Sequence, residues 1–194
     1  MQRRIPSDGT TPPRFADPRR IGAVAGLAGA TVFVFSYADG AGVVLEVAAK
    51  TALVVLAVTT LWFLFVRPRW LGEFLPPKPW AIGIYLLCVV GELALIRLGG
   101  DALAAAGAGE LRPALIALAV GVHFVPFAWA FRERMFYLLG FALVVLGGLG
   151  LVLALPRVSA TLSGLVMAIL LVAYSLGAFA RVRADDSALD AHER

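Results

Sequence analysis

Apolar and polar positions along this chain come in blocks rather than in a short alternation. Six apolar stretches, each about five or six helical turns long, are separated by brief polar segments. A helix rising about 1.5 Å per residue needs that length to cross ~30 Å of hydrocarbon. The blocks predict spans at residues 21–37, 43–66, 80–98, 113–131, 135–155 and 158–180. The expected fold class is an all-α membrane protein, a six-transmembrane-helix bundle.

The interruptions carry breaking residues. Asp39-Gly40 makes a very short turn, and residues 67–79 hold Pro68, Pro76, Pro77 and Pro79, which forbid helix continuation. Residues 99–110 are rich in Gly and Ala and fit a loop or a short interfacial helix. Pro156-Arg157 turns the chain between the last two spans. Residues 1–20 contain four prolines and five arginines without periodicity, so a disordered cytosolic arm is expected there. Residues 181–194 read as a charged cytosolic tail. Ser36-Tyr37-Ala38 loosely resembles a signal-peptidase site, but the long proline-containing lead argues against cleavage.

Composition supports a membrane bundle over a soluble domain. The chain is 60% hydrophobic and 15% charged with a mean hydropathy of +0.87, whereas a soluble domain carries about 25% charge. No internal core of 194 residues could hide so much apolar surface; lipid can. Cys88 is the single cysteine, which excludes a disulfide framework and a thiolate metal site. Glycine recurs where helices would touch. Gly22, Gly26 and Gly29 form one face of the first span, and Gly140, Gly147, Gly148 and Gly150 lie on the fifth. These two faces are the expected contact surfaces for any homo- or hetero-oligomer.

The net charge of +4 reports topology, with no nucleic-acid role implied. Thirteen Lys and Arg fall on the side that holds both termini and the 67–79 loop; three (Arg97, Arg112, Arg157) fall on the other. The positive-inside rule then sets both ends in the cytoplasm, an N-in/C-in arrangement. All four tryptophans (Trp62, Trp70, Trp80, Trp129) gather near that same interface. Fifteen Arg against two Lys fits a GC-rich bacterial genome, so a bacterial plasma membrane is the expected location.

Four ionisable side chains fall inside the predicted hydrocarbon: Glu46 and Lys50 on the second span, Glu92 on the third, His123 on the fourth. Each is costly there, and such groups tend to face a cavity or one another. Glu46 and Lys50 have the i, i+4 spacing of an intrahelical ion pair. By helical rise, Lys50 and Glu92 lie about 10 Å from the outer surface and His123 about 15 Å. Glu92 shares a face with Cys88 and Tyr85. Pro126 cannot donate to the Val122 carbonyl, which leaves an acceptor beside His123. One expectation is an outward-facing polar cavity, with Lys50 near the Glu92–His123 pair, that binds a small solute or an ion. The other is structural: a neutralised Glu46–Lys50 pair plus a Glu92–His123 bond that fixes packing.

Sharper chemistries lack their parts. A bis-histidine haem needs a second intramembrane histidine, and His192 is in the tail. One histidine and two distant glutamates make a thin zinc site, so no metal or cofactor is expected. A Ser163–His123 hydrolase dyad fails on depth and lacks a GxSxG elbow. Asp185, Asp186 and Asp190 read as a solvated tail rather than a diphosphate site, and no phosphate-binding glycine loop occurs. The expected role is small-solute or ion transport or binding, proton coupling included. A non-catalytic scaffold or partner subunit is the alternative, and a lipid-modifying enzyme has least support.

Overall fold

The computed structural model describes residues 15–72, 79–131 and 133–180, with side chains at 40, 41 and 79 left aside. All secondary structure among them is helical. The helices are α1 (Pro18–Tyr37), α2 (Val43–Leu61), α3 (Pro79–Ala105), α4 (Arg112–Phe131), α5 (Arg134–Val152) and α6 (Pro156–Ser175). A π-helical turn, Trp62–Val66, extends α2, with the Arg67 N–H donating to the Trp62 carbonyl at 2.9 Å. Six helical segments are long and apolar enough to cross a membrane.

The helices alternate in direction. The α1–α2, α3–α4 and α5–α6 connections lie at one end, called the upper end below; the start of α1 and the end of α6 lie at the other. Arg157 Nη1 donates to Asp39 at 2.8 Å across the upper end, while the Trp80 and Trp129 rings meet at 5.1 Å at the lower one. The centre is the α4–α5–α6 group, with α1 on α6. Its core is built from Ala30, Phe33, Val34, Leu53, Ala117, Phe124, Leu143 and Met167, among others. α2 packs on α6 and α1, whereas α3 packs on α4 alone to any extent.

α4 and α5 approach so closely that backbone meets backbone. A methyl group on Gly121 would stand 2.6 Å from the Val144 nitrogen, and one on Gly140 would stand 2.9 Å from the Gly121 carbonyl oxygen. No other residue fits there. The glycine faces expected to serve oligomerisation are thus largely taken up inside the bundle. Gly140 and Gly147 are covered by α4, Gly150 by Ala114 and Ser159, Gly26 by Leu171 and Gly29 by Met167. Gly22 and Gly148 have nothing within 4 Å and face outward.

Several boundaries differ from the sequence expectation, each for a local reason. α1 begins at Pro18, inside the segment expected to be a disordered arm, because Asp17 caps it and accepts from the Arg19 N–H at 3.0 Å. α3 continues past residue 98 to Ala105. Gly99 and Gly100 do not end it: they let Leu115 and Arg112 of α4 come close, and an Arg97–Asp101 pair at 3.1 Å spans the turn. The stop comes at Gly107, whose φ of +72° suits a left-handed C-terminal position. α5 ends at Val152, and α6 starts at Pro156 and stops at Ser175, two residues before Gly177 with φ +82°. Residues 1–14, 73–78, 132 and 181–194 lie outside the described residues, and with them most of the arm, part of the proline loop and the whole tail.

Candidate functional site

α3 turns one inner stripe toward α4: Ala81, Ile84, Cys88, Glu92, Ile96 and Gly100, spaced three to four residues apart. Glu92 is the only charge in that stripe. It meets His123, which α4 presents near the middle of its length, and Glu92 Oε2 lies 3.0 Å from His123 Nδ1. Both side chains are mostly covered, at 11% and 18% exposure for His123 and Glu92. The contact is close but oblique, so Nδ1 makes no well-directed hydrogen bond. Aromatic rings enclose the imidazole: Phe124 at 4.2 Å and Phe127 edge-on at 4.9 Å. Tyr85 joins the same shell through its contact with Phe127 at 5.3 Å. α4 stays helical through Pro126, three residues on from His123.

The other pair lies elsewhere. Lys50 Nζ donates to Glu46 Oε1 at 2.5 Å, one helical turn apart, and sits 5.5 Å above the Phe35 ring of α1. This turns Lys50 toward the α1 side of α2, while Glu92 and His123 occupy the α3–α4 seam. The four groups form two separate pairs. A groove of about 350 Å³ does open at the upper end between α2 and α6, but its lining is apolar apart from Tyr37, Arg157 and Thr161, and none of the four groups lines it. Among the described residues, no three His, Cys, Asp or Glu side chains converge as a metal ligand set.

Sequence reading missed a third polar cluster, at the lower end. Asp17 is 2% exposed and accepts from Arg19 Nη2 at 3.0 Å, with Arg20 Nε 3.7 Å away. Arg19 Nη1 donates to the Gly72 carbonyl at 3.0 Å, and Arg20 Nη1 donates to the Leu64 carbonyl in the π-helical turn. A π-helical turn displaces its carbonyls from the regular ladder, which suits capture by an outside donor. Tyr174 and Glu133 lie within electrostatic reach of this cluster. The cluster ties the start of α1 to the end of α2 and the segment after it. Asp17-Pro18 followed by an apolar run was the available signal, an N-cap with proline at N1.

Among the described residues, two hydroxyls are fully buried without a partner, Thr60 Oγ1 and Ser163 Oγ. They are far apart along the helix axis: Ser163 is about 10 Å from the upper end of α6, and Thr60 about 25 Å from the upper end of α2.

Residues 103–181 match the model of a family of unknown function, DUF7010. The match takes in the last residues of α3 and all of α4, α5 and α6, so it includes His123 but not Glu92, Glu46 or Lys50. No curated protein and no solved structure matches the chain.

Proposed function

We propose that this chain is a multi-pass protein of a bacterial plasma membrane, with both termini cytoplasmic, that binds a proton or small cation at Glu92–His123 in the service of small-solute or ion transport. The observation that carries the reading is the 3.0 Å approach of two ionisable groups from different helices, near mid-span and walled by aromatic rings. A lone carboxylate is expensive in such surroundings. With one exchangeable proton held between the carboxylate and the imidazole, the pair is neutral overall. Loss of that proton leaves a net negative charge, so release is coupled to arrival of another cation or of water. Coupling of that kind is what a proton-linked carrier requires. The Glu46–Lys50 pair, already neutralised within its own helix, has no such task and is assigned a packing role.

The test is flux. Protein reconstituted into liposomes with an entrapped pH-sensitive dye should acidify the lumen under an imposed inside-negative potential. Glu92→Gln and His123→Gln should each slow this at least tenfold at equal protein content. Flux equal to that of protein-free liposomes would overturn the transport reading.

One observation favours a second reading, a partner subunit or scaffold. Only 6% of the most apolar window of α3 is buried, and α3 leans on α4 alone. Glu92–His123 would then be a clamp that holds a thinly packed helix in place. Under this reading the same substitutions release α3 and lower thermal stability, with no flux to lose.

A further inference from the structure

We propose that the groove between α2 and α6 is a binding site for a zwitterionic phospholipid whose headgroup carries a primary ammonium. The inference rests on the chain being a membrane protein and is independent of the Glu92–His123 pair. The groove has a volume of about 350 Å³. Ala48, Ala49 and Ala52 line it from α2, and Val158, Leu162 and Leu165 from α6. The alanines make the hollow, since larger side chains at one helical turn's spacing would close the gap between the two helices. Leu162 and Val158 remain about half exposed, so the groove opens sideways toward surrounding lipid. Its wall is almost wholly apolar, which suits an acyl chain.

The rim supplies the polar part. Arg157 stands at its upper end, and Asp39 accepts from Arg157 Nη1 at 2.8 Å. Both side chains are 57% exposed. The guanidinium has five N–H donors and uses one on Asp39, and the carboxylate has a second oxygen. A phosphate can therefore take the remaining donors of Arg157, while an ammonium takes the other face of Asp39. The opposite charges of rim and headgroup match pair for pair. A headgroup with phosphate alone would meet the Asp39 carboxylate with nothing to offset it. A quaternary ammonium would offer Asp39 no N–H to share. At the level of the membrane surface these contacts are partly desolvated and charge-assisted, hence stronger than neutral ones. The acyl chain supplies affinity and the Asp39–Arg157 pair supplies the choice of headgroup.

The experiment compares headgroups on one set of chains. The detergent-purified full chain is incubated with equal amounts of dioleoyl phosphatidylethanolamine, phosphatidylcholine and phosphatidylglycerol, and retained lipid is counted by native mass spectrometry. The ethanolamine lipid should be retained about five- to tenfold over each of the others, the size of one charge-assisted contact. Asp39→Ala should abolish the preference over the choline lipid, and Ala52→Phe, which fills the groove, should abolish retention of all three. Equal retention of the three lipids by the unsubstituted chain overturns the proposal, as does a preference for the glycerol lipid. The headgroup comparison needs no variant to fold, and a negative result leaves the flux test of Glu92–His123 untouched.

Discussion

Gly147 of α5 lies directly against the backbone of Leu118 on α4: a methyl group at position 147 would stand 2.5 Å from the Leu118 nitrogen and 2.8 Å from its Cα. Backbone cannot rotate away as a side chain can. Gly147→Ala should therefore separate α4 from α5 and cost about 1–3 kcal/mol. Gly148→Ala, one residue on, meets nothing within 4 Å and should be neutral or slightly stabilising. Thermal unfolding of the two variants in detergent gives the comparison; equal melting temperatures would show that the α4–α5 contact is looser than described.

The separation of the two ionisable pairs has a measurable signature. A double-mutant cycle of Glu92→Gln with His123→Gln should give a coupling of about 0.6–1.7 kcal/mol, the range for polar contacts between membrane helices. The cycle of Glu92→Gln with Lys50→Met should give a value within error of zero, because Lys50 is engaged by Glu46 and Phe35. A coupling above about 1 kcal/mol between Glu92 and Lys50 would put the two in one cavity after all.

Removal of Asp17 should be felt through Arg20. The carboxylate caps α1 and balances a buried guanidinium that donates to the Leu64 carbonyl. Asp17→Ala loses the cap and leaves the positive charge of Arg20 less compensated, a combined cost of about 2–4 kcal/mol. Asp17→Asn keeps an acceptor for the cap and should cost less than half as much. Ranking the two by unfolding midpoint checks the order, and the reverse order would remove the charge from the explanation.

The buried hydroxyl of Ser163 has no partner among the described residues. Ser163→Ala removes an unsatisfied group with little change of volume and should leave stability unchanged or raise it by up to about 1 kcal/mol. A loss above about 1 kcal/mol would reveal an acceptor, such as a bound water, that the hydroxyl serves.

The proposed orientation follows from the positions of Lys and Arg and is open to a direct check. In a background with Cys88 replaced by Ala, a cysteine at position 104 should react with an impermeant thiol reagent in intact cells. A cysteine at position 73 should react only after lysis. The opposite pattern would invert the topology.

Much of the fold was legible from hydropathy because length and apolarity are local quantities. Each apolar block of about 20 residues is long enough to span lipid as a helix, and the described residues hold six such helices. Breaks at Asp39-Gly40 and Pro156 were equally local, since Asp-Gly favours a tight turn and proline suits the first turn of a helix. Helix ends were less legible where the signal was a partner. Gly99 and Gly100 look like a stop in one dimension, but beside Leu115 and Arg112 of α4 they are a place for close approach.

The chain by itself also determined which side chains would be costly in a membrane and, by their depth, that Glu92 and His123 could meet. Only the tertiary structure decided that Lys50 turns toward Phe35 of α1 and that Glu92 faces α4. Rotation of a helix about its axis is set by every neighbour at once, and in nearly uniform apolar helices the sequence pattern fixes it weakly. The same reason hid the Asp17–Arg20–Leu64 cluster, in which Arg20 and Leu64 are 44 residues apart along the chain, and the groove between α2 and α6. A groove is a property of two surfaces that do not quite fill the space between them. No single stretch of sequence contains that space.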